Sequence, residues 1–274
     1  MDRVPILLYH SVSSRPHPLI ADFAIAPAAF ATHLDLIAER GLSTLTIDEL
    51  AAAFAAGDDL RRAVAVTFDD GFRDTLTAAL PALRERRQSA TLYVTTGLLR
   101  GATPVLDADL AAAMLAAEEL AELRAGGVQL GAHSHTHPHL DTLRGATLRD
   151  EVTRPRALLE EILGAPVTSF AYPHGYAGPR VRRTVAAAGY ATACGVGEAF
   201  TSPGEDQLRL SRLMVRRDTE VATVAAWLDR QAAPGPRASE SARTRGWRAY
   251  RRARATLRRR AGADPGWPAG RLPR

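Results

Sequence analysis

Over the first 220 or so residues, short apolar runs alternate with amphipathic stretches. The runs VPILLYH, LSTLTI, AVAVTFDD, SATLYVTT, VQLGAHS, VTSFAYP, YATACGV and LRLSRLMV have the length and branched composition of buried strands. Between them lie AFATHLDLIAERG, IDELAAAFAAG, TLTAALPALRERR, DLAAAMLAAEELAELRAGG, TLRDEVTRPRALLEEILG and GPRVRRTVAAAGY, all with the apolar spacing of helices. Several of these close on Gly, which commonly stops a helix. Strand and helix in alternation predict parallel strands joined by crossover helices, as in a doubly wound sheet or a barrel. Eight runs in about 220 residues favour a TIM-like (β/α) barrel.

Four runs end on reactive side chains: ILLYH at His10, AVAVTFDDG at Asp69 and Asp70, VQLGAHSHTH at His133 and His137, and TSFAYPHG at His174. A parallel barrel collects the loops that follow its strands on one face, so these distant clusters are expected to meet. The segment GAHSHTHPHL holds four of the eight histidines, at 133, 135, 137 and 139. Two nitrogens on one ion, each about 2.1 Å from it, lie within about 4 Å of each other. Extended chain would separate positions 133 and 137 by about 13 Å, so the segment must coil after its strand to let them share an ion. His133 with His137 suits a helical turn; His135 with His139 has the same spacing, but Pro138 disfavours a turn there. Surface positions or turn caps would equally accommodate isolated histidines. Asp69 and Asp70 likewise have two readings: Asp-Asp-Gly makes a good turn or cap, and it also offers one metal ligand beside one free base.

Thr67-Phe68-Asp69-Asp70-Gly71, His133-Ser134-His135-Thr136-His137-Pro138 and Phe170-Ala171-Tyr172-Pro173-His174-Gly175 together resemble the motifs of the polysaccharide deacetylase family, carbohydrate esterase family 4. The resemblance covers residues 4 to 220 and implies a distorted (β/α) barrel. It further implies a divalent ion, zinc first and cobalt or nickel next, held by Asp70, His133 and His137. Asp69 would be the general base, and a backbone N–H near His174 would hold the oxyanion. The family's usual acid, a His in a C-terminal L-x-H segment, has no counterpart in LRLSRLMV. Tyr9-His10 resembles the arrangement of the exopolysaccharide and poly-N-acetylglucosamine deacetylases, which makes His10 the candidate acid. Two departures stand out: Ala171 occupies the place of an Arg that orients the base in much of the family, and His174 replaces a Tyr. The activity implied is removal of N-linked acetyl groups from polysaccharide, oligosaccharide, or lipid- or nucleotide-linked sugars. An O-acetyl esterase or a noncatalytic glycan-binding or scaffolding relative are the alternatives.

Charge divides the chain. Its net +5 conceals a tail, residues 231 to 274, with twelve Arg and two acids, which leaves 23 basic and 28 acidic residues before it. The change falls at AAPGPRASESART, a linker-like stretch, so the barrel is expected to occupy 1–231 and the linker and Arg-rich tail 232–274. Within the tail, Trp247, Tyr250, Leu257 and Ala261 make a narrow apolar stripe suited to an anionic membrane surface; a disordered, solvated tail is the competing expectation. Its charge would hold nucleic acid nonspecifically, and specific nucleic-acid binding is not expected. One cysteine excludes an internal disulfide framework. With no cleavable leader or membrane-spanning run recognised, the expected location is cytoplasmic, peripheral on the membrane if the tail docks. His17 and His33 are expected on a loop and a helix surface, and Trp227 and Cys194 in the core.

Overall fold

The computed structural model describes residues 3–102 and 108–231. The linker and Arg-rich tail expected from 232 to 274 lie outside the described residues. The strands are β1 (Ile6–Tyr9), β2 (Ser11–Val12), β3 (Ala24–Ile25), β4 (Ser43–Thr44), β5 (Ala63–Phe68), β6 (Ala90–Val94), β7 (Val128–Ala132), β8 (Ser169–Ala171), β9 (Thr192–Cys194) and β10 (Leu213–Met214). The α-helices are α1 (Pro27–Glu39), α2 (Ile47–Ala56), α3 (Leu80–Glu85), α4 (Ala108–Ala113), α5 (Glu119–Ala125), α6 (Gly145–Leu163), α7 (Pro179–Ala187) and α8 (Val221–Leu228).

All eight predicted apolar runs supply strands of one parallel sheet, in the order β10-β1-β5-β6-β7-β8-β9, with β4 paired to the start of β5. The sheet curls into an incomplete barrel, whose two ends approach through a single parallel bridge between Cys194 and Leu210. Successive strand side chains point to opposite faces, and this sorts the core. Val64, Val66 and Phe68 of β5 join the cluster beneath the helices, whereas Ala65 joins Ile6, Tyr93, Ala171 and Cys194 in a second cluster closed by Ile47 and Leu50 of α2. Both faces are therefore covered, which explains why β1, β5 and β6 are buried along their whole length. A capping box of Thr46 and Glu49 starts α2, and left-handed Gly57 ends it.

Two helices differ from expectation. DLAAAMLAAEELAELRAGG forms α4 and α5 with a break, because Met114 to Ala116 are drawn into the core and hydrogen-bonded to the segment after β5. Phe72 bridges to Met114, Gly71 accepts from the amide of Leu115, and the Glu119 carboxylate takes the amide of Ala116. Good local helix formers thus yield to tertiary pairing. TLTAALPALRERR begins as a π turn over Thr75–Ala79 before α3, with Pro81 inside the first turn of α3, where a missing N–H costs little.

His33, expected on a helix surface, is instead 1% exposed, with its Nδ1 3.2 Å from the Tyr9 hydroxyl. Burial pulls its pKa down to about 4. Because the folded value lies below the unfolded one of about 6.5, this contribution to stability is fully present above pH 6.5 and is lost as pH falls towards 4, at most about 3 kcal/mol. Urea unfolding from pH 7.5 to 4 should show that loss, and His33→Asn, which keeps an acceptor for Tyr9, should flatten the curve over this window. Equal slopes in the two proteins would contradict the assignment. Cys194 is buried in the core and Trp227 packs half-buried against it, and no helix among the described residues is long and apolar enough to cross a membrane.

Candidate active site

β5 ends at Phe68, and its inward-facing side passes from Ala65 and Thr67 to Asp69. The amide of Asp69 donates to the Tyr9 carbonyl of the neighbouring strand, which sets the two strand ends level. Asp70 then turns back with a positive φ of 74°. After β7 the chain coils: Ser134 and His137 are also left-handed, at φ 62° and 57°, and the Ser134 hydroxyl accepts the His137 amide at 3.0 Å. Including His174 at φ 58°, four of the seven non-glycine residues with positive φ among the described residues belong to this site. Each such conformation costs about 1–2 kcal/mol, so the surrounding bonds must impose the shape.

The result is a cluster. Nε2 of His133 and His137 stand 3.5 and 3.3 Å from Asp70 Oδ1, and one ligand atom from each of the three residues lies within 4.8 Å of the others. Ligands about 2.1 Å from a tetrahedral ion are separated by about 3.4 Å, so the spacing fits a metal. The donor set fits too. His133 Nδ1 donates to the Ala171 carbonyl at 2.9 Å, which leaves Nε2 as the lone-pair nitrogen. Asp70 Oδ1 is buried with no hydrogen-bond partner. Burial lowers the pKa of both histidines, keeping the imidazoles neutral, and raises that of Asp70 to about 6. A cation would relieve that cost by favouring the carboxylate. His135 points away, its Nδ1 2.9 Å from Thr96 Oγ1, and His139 stacks at 3.9 Å on His174 at the rim, so the rival histidine pair is not the one that converges on a carboxylate.

Asp69 serves differently. Its two oxygens accept from Nη1 and Nη2 of Arg212 at 2.7 and 2.8 Å, and Oδ2 lies 3.6 Å from His133 Nε2. Arg212 is fully buried: Nε donates to the Gly195 carbonyl, Nη1 also reaches Thr67 Oγ1, and the guanidinium lies 5.5 Å from the Tyr93 ring centroid. Burial would raise the pKa of Asp69, but the charge of Arg212 and its hydrogen bonds outweigh it and leave the carboxyl below its ordinary value. A carboxylate held this way stays ionised, with its orientation set by a two-pronged bond.

Sequence reasoning missed Arg212. Ala171 contributes a backbone carbonyl to His133 and has no side chain with which to hold Asp69; the cation comes from the segment leading into β10 instead. The available signal was an arginine inside LRLSRLMV, an expected barrel strand, where a buried charge demands a partner.

His10 follows β1, next to β5. Its pKa is lowered by burial and pushed back up by Asp70 and Asp69, whose charges act on it. Its ring packs 5.2 Å from Phe23, and Phe23 in turn carries the Arg216 guanidinium at 5.1 Å. His174 sits in the short turn Pro173–Gly175, its ring centroid 4.6 Å from that of His137. All six residues expected from the sequence therefore gather at the strand ends on one side of the sheet.

A curled parallel barrel with two imidazoles, a carboxylate and a second, arginine-held carboxylate at its strand ends has the chemical groups that hydrolysis requires. Comparison with known proteins specifies the family: the polysaccharide deacetylase profile matches residues 56–193, and the chain belongs to that family and is a deacetylase. It is 22% identical over 230 residues to YxkH of Bacillus subtilis (strain 168), covering 83% of this chain and 76% of that one. Among solved structures, it superposes with a TM-score of 0.72 on IcaB from Ammonifex degensii, at 25% identity over 83% of this chain and 97% of that one. The Streptococcus pyogenes deacetylase PplD, in complex with acetate, also gives 0.72, at 22% identity over 81% and 96%.

Proposed function

We propose that the chain is a metal-dependent N-deacetylase of N-acetylated glycans, on the strength of one observation: Asp70, His133 and His137 converge beside a separate, arginine-paired Asp69. Two neutral nitrogens and one carboxylate suit zinc, with cobalt and nickel as workable substitutes, and leave positions for water and substrate. Bound there, the ion would polarise the acetamide carbonyl and acidify the attacking water. The protein's own groups do the rest. Asp69, kept ionised and aimed by Arg212, takes the proton from that water. A backbone N–H beside His174 donates to the developing oxyanion. His10 delivers a proton to the departing amine, without which the nitrogen is a poor leaving group.

Chelator-treated protein should release no acetate from N-acetylglucosamine oligomers or from nucleotide- or lipid-linked N-acetyl sugars. Zinc, cobalt or nickel should restore release on at least one substrate class. Full activity in the stripped protein would overturn the metal assignment.

A further inference from the structure

Helix α6 buries Leu148, Val152, Pro155 and Leu159, yet its buried stripe also contains an acid, Glu151, at 7% exposure. An ionisable residue on the core face of an amphipathic helix needs partners, and these partners are specific. Glu151 Oε2 accepts the amides of His135 and Thr136 at 3.0 and 2.9 Å, Oε1 accepts the Thr136 hydroxyl at 2.6 Å, and the His135 amide is shared with the Glu151 backbone carbonyl at 3.2 Å. Both residues lie between His133 and His137, in the turn whose backbone is left-handed at Ser134 and His137. On the other side, the amide of Gly97 donates to the His135 carbonyl at 2.7 Å, where a Cβ on residue 97 would stand 2.5 Å from that oxygen.

We propose that Glu151 is a positioning residue for the ion site, gripping the unfavourable turn so that both imidazoles face Asp70 before any ion arrives. This rests on reading Asp70, His133 and His137 as the ligands. A turn of this shape presents consecutive amides to one side, and a carboxylate is the acceptor that can take both while also holding the neighbouring hydroxyl. Without it the turn relaxes towards ordinary backbone angles, and binding must then supply the ordering. Partners of this kind that lie behind the ligands commonly contribute 10- to 100-fold to metal affinity.

The test titrates apo full-length protein with zinc against a chromophoric chelator and follows amide hydrogen exchange over residues 133–137. Glu151→Ala is expected to weaken zinc binding by about 10- to 100-fold and to speed exchange at Thr136 in the apo protein, whereas the His135 amide keeps its bond to the backbone carbonyl of residue 151. Glu151→Gln should keep part of the affinity, since its amide oxygen still accepts both N–H groups. Thr136→Val, which removes one bond of three, should show a smaller loss, and these two variants carry the test if the alanine protein does not fold. A purely structural Glu151 would lower the melting temperature and leave the zinc Kd of every folded variant within twofold of wild type, which would overturn the proposal. Failure of the wild type to take up zinc would remove the ion-site reading itself, a separate and distinguishable outcome.

Discussion

Asp69→Asn should bind zinc and release acetate about 10²- to 10⁴-fold more slowly than wild type, the usual contribution of a positioned general base. The substitution changes little in shape: one Asn oxygen still accepts from Arg212, and Asp70, His133 and His137 are untouched. What disappears is a basic oxygen 3.6 Å from His133 Nε2, the oxygen proposed to take the proton from the attacking water. The loss should fall on kcat, because the group acts on the reacting water and not on the sugar. A drop in stability is expected as well, since Arg212 remains buried with its counter-charge gone. Measuring zinc affinity and circular dichroism alongside acetate release separates the chemical defect from misfolding. Release at the wild-type rate would refute the role of Asp69.

Arg212→Met reaches the same carboxylate from behind. It breaks a buried ion pair that is bonded at both ends, for which about 3–5 kcal/mol of destabilisation is expected. In the wild type the folded pKa of Asp69 is depressed, so the pair's stabilisation is present above the unfolded carboxyl value of about 3.9 and is lost as pH falls through the lower folded value. Without the arginine, burial acts unopposed and the pKa of Asp69 rises. The acidic limb of kcat/KM should then move to higher pH. Arg212→Lys keeps the charge but not the fork, and should fall between the two. An unshifted limb in a folded Arg212→Met protein would mean that Arg212 supports the barrel only.

Local patterns carried much of this protein. Each apolar run predicted as a strand became one, because the period and composition of a buried parallel strand are properties of the run itself. The residues proposed as ligands were legible for the same kind of reason: TFDDG and HSHTHP bring acid and imidazole to strand ends, where a parallel barrel gathers its loops. Even the necessity of a turn after β7 followed from arithmetic on chain length. By contrast, the break between α4 and α5 was invisible, since its cause is a pairing of Met114 with Phe72, some forty residues earlier. His33 was placed on the surface because its helical neighbours did not reveal that Tyr9 would lie against it.

What the amino-acid order determined alone, then, was the alternation of elements, the parallel barrel class and the identity of the residues able to hold an ion. Tertiary structure alone decided that a buried arginine from the last strand segment holds Asp69, and that an acid on α6 binds the turn between His133 and His137. The reason is physical: strand and helix periods are encoded within a few residues. The direction of a side chain and the partner of a buried charge depend on groups brought together across dozens to more than a hundred positions, as Asp69 and Arg212 are.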